Sequence, residues 1–211
     1  MKVLVVLNFI LLLFVICYLV YRDYPDHNVF TEISAERLNI TDAEGNKYIV
    51  LSNPSRQALA TLNSKPVDTI KTERDTPGIL FFNREGDEIG GLVFDIDSVS
   101  NYQLLSFDQR KSDQIMTLRH EEERVDGGWR RRYGLMIQER SDKPVDRIIN
   151  ELHTIESMEN AERREAALDK FWADTANLSP TRLFIGRNSD QNVGLYLLNK
   201  SNALKTGPIC K

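Results

Sequence analysis

Cysteine is almost absent: of 211 residues only Cys17 and Cys210 carry a thiol. Cys17 lies inside an apolar run and Cys210 is the penultimate residue, so the polar part of the chain cannot form an internal disulfide. No CxxC and no zinc-ligand spacing occurs. Glycine and proline are also scarce, at 11 and 7 residues, which excludes collagen-like and low-complexity chains. A basic excess is missing too. Lys plus Arg is 27 against 31 for Asp plus Glu, a net charge of −4, and a general phosphate-backbone binder needs the opposite sign. The three histidines, His27, His120 and His153, have no second ligand at metal-site spacing. There is no HExxH, GxSxG or GxxxxGK[ST], and no GxGxxG after a strand. Paired acids such as Asp95 with Asp97, or Glu121 with Glu123, follow from period-two strands on any acidic surface. No catalytic, cofactor-binding or metal-binding residue is assigned, no cofactor is expected, and the chain is read as noncatalytic.

What is present begins at the N-terminus. Val3 to Tyr21 is apolar except for Asn8, and as a helix it spans roughly 28 Å, near the bilayer hydrocarbon thickness. No Ala, Gly or Ser precedes Ser34, so a small-residue cleavage site is lacking. Tyr18, Tyr21 and Tyr24 gather where interfacial aromatics sit. The expectation is a single transmembrane anchor over 1–21 whose partner is the lipid bilayer, through residues 3–21. A polar stalk follows over 22–30, then one β-rich domain over 31–211. Lys2 and the α-amino group against Arg22 place the main domain outside the cytoplasm. With 41% apolar residues, that domain can bury a core.

Beyond the stalk, four segments alternate apolar and polar residues around a polar turn: 38–50, 81–94, 105–118 and 183–198. In the first two, Asp42 with Gly45 and Asn83 with Gly86 fit a turn in which the Asx oxygen accepts a local N–H and Gly takes the left-handed conformation. The third carries Lys111 where Gly would stand, so its turn must differ or carry strain. The acidic stretch from Asp42 to Asn46 is too short for a calcium loop. A fifth hairpin is written in charge. With Asp126-Gly127 as a two-residue loop, Glu121, Glu122 and Glu123 face Arg132, Arg131 and Arg130, and Arg124 faces Trp129. Because these arginines have built-in partners, no nucleic-acid partner is expected.

Residues 52–77 read as a long polar connection with three prolines. Residues 144–176 shift to a helical period, with Pro144 in the first turn and Ser141 or Asp142 as cap. Ile148, Leu152, Ile155, Met158, Ala161, Leu168 and Trp172 fall on one stripe, interrupted by Glu165. This is one helix, or a pair broken near 157–160. Its stripe is expected to pack on the body of the protein. The alternative is docking of a protein partner or a second copy.

The stretches 34–46, 77–94 and 104–109, with Arg182-Leu-Phe-Ile-Gly-Arg187, resemble a group of bacterial single-span, membrane-anchored proteins built from strand–Asp-x-x-Gly–strand hairpins. The resemblance implies a mainly β domain of antiparallel hairpin repeats, barrel-like or sandwich-like, with a helical insert at 144–176 and no assigned activity. It also implies further hairpins after Leu198, for which 199–211 is too short. Two functions stay open. One is a membrane-tethered, extracytoplasmic binding or scaffolding protein. The other is a carrier enclosing a small apolar ligand in a cavity lined by Phe81, Phe94 and Phe107.

Overall fold

The computed structural model describes residues 2–22, 30–67, 74–199 and 204–206. Most of the expected stalk and Cys210 lie outside these residues. Contacts divide the chain into two units, Met1–Ser34 and Ala35–Lys211. In the first, α1 (Lys2–Arg22) is a 21-residue helix. It is long and apolar enough to cross a membrane, and its most apolar window has no buried residue.

The second unit is mainly antiparallel β structure. Its strands are β1 (Arg37–Thr41), β2 (Lys47–Ser52), β3 (Thr61–Leu62), β4 (Lys65–Pro66), β5 (Gly78–Phe82), β6 (Glu88–Ile96), β7 (Ser100–Asp108), β8 (Gln114–Val125), β9 (Gly128–Gln138), β10 (Thr181–Arg187), β11 (Val193–Leu198) and β12 (Leu204–Thr206). Apart from the small β3–β4 hairpin, they form one ten-stranded sheet in the order β1-β2-β5-β6-β7-β8-β9-β10-β11-β12. Each strand pairs with its predecessor in the sheet, mostly through short turns and twice across an insertion, residues 53–77 and 139–180. The sheet does not close. β1 and β12 are its two edges among the described residues, so of the barrel-like or sandwich-like forms expected no closed barrel is present there, and β12 is a three-residue strand.

Alternation gives the sheet two faces, and the chain covers one. On that face Val50, Leu80 and Phe82 are buried with Ala58, and Val93 packs against them. Ala58 and Leu62 come from the segment expected to be a plain polar connection. It instead folds as a 3-10 turn (Pro54–Arg56) and the β3–β4 hairpin. Its few apolar residues are spaced irregularly, so neither helical nor strand periodicity marks it; residues 68–73 lie outside the described set.

The insert is a helical pair, α2 (Val145–Glu156) and α3 (Ala161–Ala173). Pro144 is the cap residue, ahead of the first turn, and no side chain caps α2. Ser141 Oγ instead accepts from Lys143 N (3.2 Å) and donates to Ala176 O (2.6 Å), closing the base of the insert. Asn160 Oδ1 caps α3 by accepting from Arg163 N at 2.9 Å. Ile155 and Phe171 are buried, whereas Trp172 is 51% exposed. The break at 157–160 resets the helical phase, so the single stripe read across both helices misplaces its last member by one residue. Lys143 anchors the pair: Nζ donates to Asn177 Oδ1 (2.7 Å) and lies 5.9 Å from the Phe171 ring centroid.

The charged hairpin forms in the expected register. Asp126 and Gly127 take positive φ (51° and 79°), and Glu123, Glu122 and Glu121 face Arg130, Arg131 and Arg132. The ion pairs measure 2.6, 2.5 and 3.8 Å. Exposed cross-strand pairs of opposite charge are each worth about 0.2–1 kcal/mol. Changing all three glutamates to Lys should therefore lower unfolding stability by roughly 1–3 kcal/mol through like-charge contacts. Adding Arg→Glu at 130, 131 and 132 should restore it in a chemical-denaturation titration, and a sextuple variant no better than the triple would contradict this register.

Candidate functional site

Three hairpin turns share one solution. Asp42 Oδ1 accepts from Glu44 N (3.1 Å) and Asn46 N (2.8 Å), with Asn46 Nδ2 and Tyr48 OH on Oδ2. Asn83 Oδ1 accepts from Glu85 N (2.8 Å) and Asp87 N (3.0 Å), and Asn188 Oδ1 from Asn192 N (2.9 Å). Gly45, Gly86 and Gln191 supply the positive φ three residues on. The Oδ1 atoms of these residues accept backbone N–H groups of their own turns, and Asp42 Oδ2 accepts from the Asn46 and Tyr48 side chains. Among the described residues no group of three or more His, Cys, Asp or Glu is placed to hold a metal ion.

The third turn departs from the pattern. It opens one residue late: Ser112 N donates to Gln109 O (2.9 Å) and Gln109 N to Asp113 O (3.1 Å). Lys111 takes the left-handed conformation, φ 58°. A side chain there costs on the order of 1–2 kcal/mol. Its contacts offset that cost: Nζ lies 2.8 Å from the Asp87 carboxylate and 2.6 Å from that of Glu85, and donates to Asn63 Oδ1 at 2.7 Å. Asp87 is only 1% exposed, and it also accepts from the backbone N of Asn63 and from Asn83 Nδ2. Burial pushes the Asp87 carboxyl up, but Lys111, the Asn63 N–H and Asn83 together hold it below the usual carboxylate range. Lys111 and Arg110 bring Glu85 down to about 2. Thr61 Oγ1 donates to Gly86 O and Ser64 Oγ to Glu85 O, at 2.6 and 2.8 Å. Three turns (63–64, 83–86 and 109–112) are thus tied together around one carboxylate.

The late turn also leaves Asp108 in β7, where its oxygens have no turn to serve. Asp108 Oδ1 is buried and has no hydrogen-bond partner among the described residues. It lines a hollow of about 210 Å³ with Glu88, Asp113, Lys111, Leu62 and Ile149. The cations nearby are engaged elsewhere: Arg74 with Glu88 (2.9 Å), Arg140 with Asp113 (3.0 Å) and Lys111 with Asp87. Burial, then the charges of Asp113 and Glu88, push the Asp108 carboxyl up to about 7, and burial raises Glu88 despite Arg74. Such a carboxyl can exchange a proton near neutrality. Asp95 and Asp97 do not join it. Asp97 lies in the turn after β6, accepting from Val99 N (2.7 Å) and Ser100 N (2.6 Å).

The opposite face of the sheet carries no cover from the described residues of the second unit. One cross-strand row runs Leu38–Leu51–Ile79–Leu92–Leu105–Leu118–Leu135–Ile185–Leu195, each residue directly opposite the next. The neighbouring row runs Ile40–Ile49–Phe81–Gly90–Phe107–Met116–Ile137–Leu183–Leu197. A third, mixed row contains Phe94, Gln103, His120, Tyr133, Arg187 and Val193. Ile40 is 59% exposed, Leu118 55% and Ile185 45%. Soluble monomers rarely expose apolar patches beyond a few hundred Å², and this one crosses nine strands. Phe81, Phe94 and Phe107 do share a face, as the carrier reading needs, but the face is open. A hollow of about 480 Å³ beside Leu92, Leu105 and Leu118 is an open depression on the sheet.

No family model, curated protein or solved structure matches the chain.

Alternation within single strands is visible in the sequence. The alignment of nine strands into unbroken rows depends on turn lengths and bulges and is not. Asp108 is hidden for a related reason: it occupies the position that looks like a turn-opening Asx. In the unfolded chain its carboxyl ionises near 3.8, and in the folded protein near 7. Between these values the folded state holds a proton that the unfolded chain has lost, so stability falls as pH rises through that window and is level above it. Asp108→Asn removes this term. It should raise unfolding stability at pH 8 by on the order of 2 kcal/mol relative to its effect at pH 4. Equal effects at both pH values in denaturant titrations would contradict the desolvated carboxyl.

Proposed function

We propose that the protein is a noncatalytic, membrane-tethered binding or scaffolding protein, with α1 as an uncleaved anchor and the β domain outside the cytoplasm. Its binding surface is the open apolar face of the sheet. The observation that carries this reading is the pair of unbroken aliphatic and aromatic rows. Their exposure has no purpose in packing the chain itself, since the core lies on the other face around Val50, Leu80 and Phe82. Full burial of a single Leu, Ile or Phe is worth roughly 1.5–3 kcal/mol, so a face of this breadth left in water is an aggregation hazard. The length of α1, the lack of a small-residue cleavage site before Ser34 and the tyrosines at the end of the run support retention in the bilayer.

The ligand-carrier alternative has less support. A small-molecule pocket buries most of its ligand's surface, whereas the hollow at Leu105 and Leu118 is open along the sheet. Among the described residues Asp108 Oδ1 has no hydrogen-bond partner, and its neighbouring cations are already engaged by other carboxylates. This favours a structural origin for its raised pKa.

Leu118→Asp separates a binding face from a core. In a dilute chain lacking residues 1–22, the substitution should leave the melting temperature within about 2 °C, because a largely exposed position contributes little to folding. In membranes carrying the full chain, the same substitution should make the β domain markedly more sensitive to added protease. A large fall in melting temperature of the dilute chain would make Leu118 a core residue and reject the reading. Recovery of a mature chain that begins after Tyr21 would reject the tether.

A further inference from the structure

The geometry points to a second copy of this chain as the occupant of the open face, the two sheets packing face to face as a sandwich with one layer from each copy. This deepens the binding-surface reading and rests on it. The first support is supply of chain. One sheet face is covered by residues 53–67 and the helical insert. Within Ala35–Lys211 the segments outside the described residues are each at most six residues long, about 20 Å even fully extended, too little to lay a second layer over nine strands, and α1 is taken up by the bilayer in the reading proposed above.

The second support is area. Two rows crossing nine strands at about 4.8 Å spacing span roughly 40 Å by about 14 Å, and the mixed row over six strands adds roughly 30 Å by about 7 Å, giving a footprint of about 750 Å². A standard stable interface buries about 800 Å² on each partner.

The third support is self-complementarity. An isologous pair requires a surface that fits its own copy. The Leu38–Leu195 row is aliphatic at every position, and the row beside it is aliphatic, aromatic, Met or Gly throughout. No charge in either row meets a like charge in the copy, whichever way the two-fold axis runs. The charged side chains on this face lie outside these two rows: Arg187 in the mixed row, and Arg124, Glu122 and Arg131 toward the far end of the β8–β9 ladder, where Glu122 and Arg131 are paired. Open sheets of this kind normally find their second layer by sheet-on-sheet packing about 10 Å apart. Tethering copies in one bilayer raises their effective concentration toward each other.

The centre of the nine-strand row is Leu105 opposite Leu118, so a two-fold axis through the face brings these positions together between copies. The experiment uses the full chain in membranes, with Cys17→Ala and Cys210→Ser removing the native thiols. Leu105→Cys and Leu118→Cys are tested singly, with Glu162→Cys on the exposed surface of α3 as control. Under mild oxidation, at least one open-face thiol should give a species of twice the chain mass with at least tenfold higher yield than the control. Adding Leu92→Asp should reduce that yield tenfold or more. No dimer, with Leu118→Cys shielded from a water-soluble maleimide, would overturn self-pairing and leave the binding surface intact. Native mass spectrometry would then identify lipid or another protein as the cover. No dimer, with both open-face thiols labelled as fast as Glu162→Cys, would overturn self-pairing and the binding surface together.

Discussion

The structure depends on one constraint: an antiparallel sheet has two faces, and period-two alternation decides what each shows. Here each strand pairs with the next in a ten-stranded meander, mostly through short turns and twice across an insertion, residues 53–77 and 139–180. Once the turns are set, Leu and Ile residues from distant parts of the sequence fall into line. The inserted hairpin and the helical pair supply the cover for the other face. Everything specific about the protein follows from the mismatch between two apolar faces and one cover.

The turns hold the register, and their chemistry explains the polar end of the molecule. In three of them an Asx oxygen accepts the N–H groups of its own turn, and a residue of positive φ closes it. The β7–β8 turn exchanges the glycine for Lys111, whose ammonium is the centre of a network joining Asp87, Glu85 and Asn63. The same departure leaves Asp108 half-buried in a strand beside Glu88 and Asp113. A local backbone change thus creates both a well-satisfied ion cluster and a poorly satisfied carboxyl a few residues apart. The first stabilises the turn end above the carboxylate range; the second works against the fold as pH rises toward neutrality.

Much of this was legible in the sequence where the signal is local. The apolar run of α1, the hairpins at Asp42–Gly45 and Asn83–Gly86, and the Glu121–Arg132 ladder follow from residue spacing and turn residues alone. So does the odd third turn, through Lys111. The misreadings arise where structure is non-local. Pro144 sits one position before its expected place, as the cap residue itself, while Ser141 bonds across to Ala176 and not to the helix. Trp172 yields to Phe171 because the break at 157–160 shifts the phase between two helices. Barrel closure cannot be read from strand count, since it depends on whether β1 meets β12. The candidate surface is the clearest case. Leu92, Leu105, Leu118 and Leu135 each look like half of an ordinary alternating strand, and only the assembled register shows them as one row.

In the membrane-bound protein this row is covered. Hydroxyl-radical footprinting of the full chain in its membrane tests it directly, using Phe107 and Met116 on the open face and Trp172, 51% exposed on α3, as the internal reference. After correction for intrinsic side-chain reactivity, Phe107 and Met116 should be oxidised several times more slowly than Trp172. Their exposure in the single chain, 43% and 36%, would otherwise give rates of the same order. Oxidation of all three at rates matching those single-chain exposures would contradict the claim and leave the sheet bare in the membrane-bound protein.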